Sequence, residues 1–306
     1  DPALADATVL RLAWGQPLPQ MLEQLRLRRE AAPGLPLLLS LDRLNPHRSA
    51  WTDAAAHPPF TPEWRAEYAA ACRELATARP EYFEILPEIN VYLTHAPKQR
   101  ASVTALVQAL AREIHAVSPT TRVVVSFNVE VLAGTYGRGA YRPFGELVLP
   151  RKAVPLESLA VAAAADAVGL TSHPQSALKL PTQVPPDYLL SFRKVLGERP
   201  LLVTKLAVRP DEKLGPARVV QDVQATWLRR LLQNCYWLDA AVVAYPDLVT
   251  EEAGRAASPV ALRVGAEARL GLGVWRNVFE WRRVGRLTLA AQRDPDAEPA
   301  PQEAGH

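Results

Sequence analysis

The chain has 306 residues, of which 48% are hydrophobic and 22% charged, with a formal net charge of +3. That is an ordinary globular composition with enough apolar mass for one large core. The scattered basic residues leave no electrostatic footprint for nucleic acid, and no run is long and apolar enough to span a membrane. Cys72 and Cys235 give neither a metal spacing nor a disulfide framework and read as buried free thiols. Arg outnumbers Lys, and Ala and Pro are abundant, as in a GC-rich bacterial genome. The chain starts at Asp1-Pro2 without a signal peptide, so an upstream segment or domain is expected to precede it.

In chain order, the first strand is expected at Thr8–Trp14, followed by an amphipathic helix over Pro17–Glu30 that Pro33-Gly34 stops. A short apolar run, Leu35–Leu41, ends in Asp42. A long polar loop follows, with Asn45, His47, Trp51, Asp53 and His57, and loops of that length are usually functional. Thr61-Pro62-Glu63 is a helix start, a cap residue followed by Pro at the first helical position, and the helix is expected to reach Ala78. The next strand, Tyr82-Phe83-Glu84-Ile85-Leu86-Pro87, stops at a residue that cannot donate to a ladder, leaving Glu88 and Asn90 at its carboxyl end.

A helix over Lys98–Val117 leads to a strand over Arg122–Phe127, which ends in Asn128 with Glu130 just beyond. A Gly- and Tyr-containing loop covers Gly134–Pro150, and a short helix Leu156–Ala165. The remaining strands are expected at Asp166–Ser172, ending in His173-Pro174; at Leu201–Ala207, carrying Lys205; and at Ala240–Ala244, ending in Tyr245-Pro246-Asp247. Helices are expected at Pro185–Leu196, Gly215–Asn234 and Ser258–Leu270. Residues 1–292 read as one barrel, and the Pro- and Glu-rich tail from 293 to 306 as disordered. Strand and helix alternate seven times, the pattern of a parallel sheet covered by helices, and the fold expected is a (β/α)8 TIM barrel lacking or replacing one strand. An open doubly wound sheet is the alternative, but no Gly-rich phosphate loop follows the first strand.

Taken in order, these strand ends resemble clan A glycoside hydrolases, most closely the endo-β-1,4-galactanase type. Arg11-Leu12 is similar to that family's second strand, and Leu37–Asp42 with Trp51-Thr52-Asp53 to its third strand and aromatic loop. Leu86-Pro87-Glu88-Ile89-Asn90 is similar to the fourth-strand Asn-Glu-Ile-Asn motif, Asp166–Pro174 to the sixth strand, and Ala241–Pro246 to the last. The resemblance implies that the first barrel strand is the absent one, that Glu88 is the general acid/base, and that the ligand is an oligo- or polysaccharide bound without metal or cofactor. A secreted or cell-envelope location follows from the resemblance alone.

The departures fall on the chemistry. Pro87 replaces the family's Asn, His173 its sixth-strand Tyr, and Tyr245 its last-strand Trp, while Lys205 stands where the nucleophilic Glu belongs. A retaining glycosidase needs two carboxyl groups, one of them a nucleophile. An ammonium cannot fill that role, and beside Glu88 it holds that carboxyl ionised. The expected reading is a saccharide-binding barrel with impaired or lost hydrolysis. One alternative is an active hydrolase pairing Glu88 with Asp42, Glu130 or Asp247. Another is a Schiff-base lyase or aldolase acting through Lys205. Arg11, Trp14, Asp42, Trp51, Asn90, Asn128, Glu130, His173, Tyr245 and Asp247 are the candidate substrate contacts. Tyr136 is a further candidate stacking platform, whereas Trp64, Trp227 and Trp237 are expected in the core, and His47 and His57 in solvent.

Overall fold

A computed structural model describes residues 7–135, 156–196, 198–208 and 216–244, together with strand fragments at Val249–Thr250, Arg263–Val264 and Glu267–Ala268. Six strands, β1 (Thr8–Ala13), β2 (Leu37–Asp42), β3 (Tyr82–Leu86), β4 (Arg122–Asn128), β5 (Ala167–Ser172) and β6 (Leu201–Leu206), form one sheet in sequence order. All its pairings are parallel. Residues 241–244 continue the order beside β6: Val203 N–H donates to Val242 at 2.8 Å and Ala244 N–H donates to Val203 at 2.7 Å. Seven parallel segments are therefore present among the described residues, at the positions the alternation predicts. The sheet curls strongly enough for Arg11 on β1 to donate to the Thr204 carbonyl on β6.

Helices α1 (Leu18–Ala31), α2 (Pro62–Ala76), α3 (Ile89–His95), α4 (Arg100–Val117), α5 (Val129–Leu132), α6 (Arg193–Leu196) and α7 (Ala217–Trp237) connect the strands. The α2 start forms as its sequence dictates, with Trp64 N–H donating to Thr61 Oγ1 and Pro62 in the first turn. In α4, Val103, Leu106, Val107, Leu110 and Ile114 fall on one face and are buried. No helix among the described residues is long and apolar enough to cross a membrane.

Three expected helices differ. Leu156–Ala164 is a 3-10 segment, and Pro185–Leu196 reduces to a 3-10 turn at Leu190–Phe192 and the single turn of α6. Pro185-Pro186 withholds two donors at the start of that segment, and Leu189 N–H is taken by Asn234 Oδ1 at 3.1 Å. Within 258–270, Arg263–Val264 and Glu267–Ala268 pair as antiparallel strand fragments, and the rest lies outside the described residues. A glycine between the two pairs costs a helix about 1 kcal/mol relative to Ala. The helices α3 and α5, directly after strand ends, were not expected.

Alternation along the strands places residues in layers inside the curl. The lowest layer is apolar and takes one residue from each segment: Val9, Leu38, Tyr82, Val124, Ala167, Leu202 and Val242. Two residues further along each strand the layer turns polar or small, with Arg11, Ser40, Glu84, Ser126, Gly169 and Thr204. Gly169 is required there, since a Cβ would lie 2.6 Å from Ser126 Cβ and 2.8 Å from Thr204 Cγ2. Above that layer two bulges break the alternation. The β3–β4 register passes from Glu84–Val124 to Leu86–Val125, and the β5–β6 register from Leu170–Val203 to Thr171–Lys205. An extra residue in one strand re-aims the side chains beyond it. Unbroken alternation would turn Leu86 and Leu206 inward; the bulges put Pro87, Glu88 and Lys205 around the cavity instead.

Candidate functional site

Glu88 follows β3 as the N-cap of α3, in left-handed backbone at φ 54°, ψ 39°. Such a conformation costs an ordinary residue about 1–2 kcal/mol. Its N–H donates to Ser126 Oγ at 3.0 Å, and its carboxylate is buried at 1% exposure. One carboxylate oxygen accepts from Thr171 Oγ1 at 2.8 Å and from Asn128 Nδ2 at 3.4 Å, with His173 Nε2 3.4 Å away. The other accepts from Arg48 Nε at 3.2 Å.

Arg48 comes from the loop after β2, which Leu44 and Trp51 close as an antiparallel bridge, and it too is left-handed, at φ 58°. Its Nη1 donates to Asp42 at the end of β2, so one guanidinium spans two carboxylates. Burial pushes the Glu88 carboxyl upward. Lys205, His173 and Arg48 outweigh that push and hold it well below the usual glutamate range. For Asp42, burial wins over Arg48, and its pKa is raised.

A cavity of about 60 Å³ opens at this point. Asp42, Arg48, Glu88, Lys205 and Thr171 surround it, and Arg11, Ser40, Glu84 and Thr204 line it from the polar layer. Lys205 therefore shares the cavity with Glu88, as the strand-end argument requires. The two form no direct ion pair: the partners of Glu88 within 4.0 Å among the described residues are Arg48 and His173, and Lys205 acts on it through its field.

Several candidate contacts stand behind Glu88 rather than in the cavity. Asn90 spends its side chain on the backbone of Asn128, donating to its carbonyl at 2.9 Å and accepting from its N–H at 2.8 Å. Asn128 in turn caps α5 through Val131 N–H. Glu130 Oε1 accepts from Ser172 Oγ, His173 N–H and Tyr188 Oη, while its Oε2 is buried without a hydrogen-bond partner. Burial raises the Glu130 pKa. Glu130 lies outside the lining, so of the two proposed second carboxylates among the described residues Asp42 is the one in the cavity. Asp247 and the aromatics Tyr136 and Tyr245 fall outside the described residues.

Of the other two aromatic candidates, Trp51 is buried and Trp14 is partly buried. Trp51 is 3% exposed, donates to Tyr92 Oη at 2.9 Å and packs edge-on against Phe60 and Trp64. Trp14 stacks under the Arg43 guanidinium at 3.7 Å, which is itself fully buried against Trp64, Tyr68, Asp53 and Glu67. Trp64 and Trp227 are core, as expected, but Trp237 is 54% exposed. His47 and His57 are exposed, and both thiols are free and buried.

Sequence reasoning missed Arg48, Glu84, Thr171 and Thr204. Glu84 carried a usable signal, a carboxylate on the inward alternation of an apolar strand. Arg48 carried none, being one loop arginine among many. No group of three or more His, Cys, Asp or Glu among the described residues is arranged to hold a metal.

No protein-family description matches the sequence, and no curated protein does. Solved structures do match. A GH5_18 protein from Streptomyces cattleya, in complex with Manβ1-4GlcNAc, superposes with TM-score 0.62 at 16% identity, covering 98% of this chain and 75% of that one. The Ignisphaera aggregans GH53 catalytic domain superposes with TM-score 0.58 at 15% identity, covering 90% and 86%. Bacteroides uniformis β-glucuronidase 2 gives TM-score 0.56 at 13% identity, and this chain spans only 31% of its length. At such identities the likeness establishes the fold: a curled parallel sheet of the kind found in glycoside hydrolase barrels.

Proposed function

We propose that the chain is a glycoside hydrolase-like barrel that binds a saccharide at the mouth around Glu88 and does not hydrolyse it. The observation that carries this reading is the state of Glu88. A general acid must hold a proton to deliver to the leaving oxygen. Glu88 stands at the strand end where the acid is wanted, yet it is an anion with Thr171, Asn128 and Arg48 donating to it. The position opposite carries Lys205, whose charge deepens that ionisation. The GH5_18 structure, which holds Manβ1-4GlcNAc, supports a carbohydrate ligand, and an envelope or secreted setting belongs to the same proposal. The test joins calorimetric titration with neutral β-linked oligosaccharides to product analysis after long incubation. Binding without cleavage supports the reading; turnover, or no binding of any saccharide, removes it.

One observation favours a second reading, an inverting hydrolase. Asp42 shares the cavity, and its raised pKa suits it as the acid, with Glu88 as base. Arg48 stands between the two carboxylates and must leave for that chemistry to run. Release of α-configured product from a β-linked substrate, abolished by Asp42→Asn, would establish it.

A further inference from the structure

We propose that the small cavity beneath the mouth is a subsite for the carboxylate of an acidic saccharide, with Lys205 as its receptor and Thr204 as a second donor. The inference rests on the saccharide-binding reading and sharpens it to a class of ligand, the uronic acids.

Commitment of the charges decides the matter. The lining is balanced, with Arg11, Arg48 and Lys205 against Asp42, Glu84 and Glu88, so the tally alone selects nothing. Arg48 is spent on Asp42 and Glu88, and Arg11 donates to the Thr204 carbonyl. Glu88 already has its oxygens occupied by Thr171, Asn128 and Arg48, with His173 alongside. A carboxylate offers about four acceptor sites, so little capacity is left there for an ammonium. Lys205 is half-buried, and its three donors have no hydrogen-bond or ion-pair acceptor among the described residues.

A second observation is independent of Lys205. Thr204, at 1% exposure, lines the same cavity, and its Oγ1 is buried without a hydrogen-bond partner. Neighbouring residues of a strand normally face opposite ways. Here Thr204 is the unpaired residue of the β6 bulge, so its hydroxyl and the Lys205 ammonium both reach one cavity. Two adjacent donors, one charged, line one cavity and make no hydrogen bond to its carboxylates. Glu84 Oε1, buried without a partner in the polar layer, supplies an acceptor for a hydroxyl or water carried in with the ligand.

Size selects the substituent. A cavity of about 60 Å³ has room for about two waters at about 30 Å³ each, and ligand pockets run about 300–1,000 Å³. A carboxylate arm fits, whereas the ring that bears it stays at the mouth above Glu88 and Arg48. Charge-assisted hydrogen bonds from an ammonium are about twice as strong as neutral ones, so the arm discriminates between an acidic sugar and its neutral parent.

The experiment titrates the full chain, by calorimetry or saturation-transfer NMR, with methyl glucuronide and methyl galacturonide against the matching methyl glucoside and galactoside. The uronides are expected to bind at least tenfold more tightly, and the preference to fade between 50 and 500 mM salt. Lys205→Gln is expected to bring uronides down to the level of the neutral glycosides. Lys205→Arg keeps a preference, and Thr204→Val loses a few-fold. Circular dichroism confirms that each variant is folded, and the salt series needs no variant at all. Equal affinity for acidic and neutral glycosides overturns the inference, as does a preference that survives Lys205→Gln or tighter binding of galactose 6-sulfate than of the uronide. If neutral oligosaccharides bind while uronides gain nothing, the carboxylate subsite falls and the saccharide reading stands; if nothing binds, both fall.

Discussion

Replacing Glu88 by Gln preserves the shape of the side chain and removes its charge, so it isolates what the anion does. The amide oxygen can still accept from Thr171 and Asn128, whose donors are neutral. On the other side, the amide NH2 meets Arg48 Nε, donor against donor, where a charge-assisted bond stood at 3.2 Å. Breaking a buried ion pair by removing one partner costs about 3–5 kcal/mol. Arg48 keeps Asp42, which is 25% exposed and screened in part, so the lower end applies and the expected loss is about 3 kcal/mol. Urea unfolding at neutral pH measures it, as a fall in midpoint at unchanged slope. The pH dependence gives a second signature. The folded-state pKa of Glu88 is depressed, so its contribution is full above the unfolded value of about 4.3 and is lost as pH falls through the folded value. The gap between wild type and Glu88→Gln is therefore flat from neutrality down to about pH 4.3 and closes as pH falls from there to the folded value. A variant as stable as wild type, or more so, at neutral pH would refute the reasoning and mark Glu88 as a strained catalytic carboxylate.

Glu130 carries the opposite sign. Its raised folded pKa gives stability below the unfolded value that is lost as pH rises through the folded one. Glu130→Gln, imitating the protonated form, is expected to gain on wild type between pH 4 and 8 in thermal melts, and a constant difference would contradict this. Gly169→Ala is expected to cost about 1–3 kcal/mol in urea unfolding, since its Cβ meets Ser126 and Thr204 within 3 Å; a neutral effect would mean the polar layer is looser than described. Lys205→Glu places a second carboxylate in the cavity with Glu88 and removes a cation that holds it ionised. Aryl β-glycoside hydrolysis above the wild-type background is expected, and inert Lys205→Glu and Lys205→Glu/Arg48→Ala proteins would count against a lost nucleophile. Borohydride reduction with a panel of small aldehydes and ketones is expected to leave the mass unchanged, and an adduct abolished by Lys205→Gln would establish the lyase alternative.

The fold was legible because its signals are local. Seven apolar runs, each closed by a polar or helix-starting residue, fix the strand positions, and Thr61-Pro62 fixes the start of α2 to the residue. The site was legible in part. Glu88, Asp42 and Lys205 share one cavity, as the sequence suggests, because carboxyl ends of strands converge in a curled parallel sheet. Arg48 was invisible because its role depends on a left-handed turn at a residue type that seldom adopts one, and such turns are normally announced by Gly or Asn. The bulges were invisible too: alternation read straight through β3 and β6 turns Leu86 and Leu206 inward, and only the register shows Thr204 and Lys205 facing one cavity. Trp51 misled for a related reason. A loop tryptophan reads as an exposed platform until the fold buries it against Phe60, Trp64 and Tyr92.

The titration of Glu88 itself bears most directly on whether this protein binds a saccharide without cleaving it. Carbon-13 NMR of a side-chain-labelled glutamate sample, with the resonance assigned by its loss in Glu88→Gln, follows that one carboxyl through the acid range. The account predicts a group still ionised where ordinary glutamates have taken up their proton, below about pH 4.3. A midpoint near 6 or above would show a carboxyl poised to donate a proton and would contradict the account.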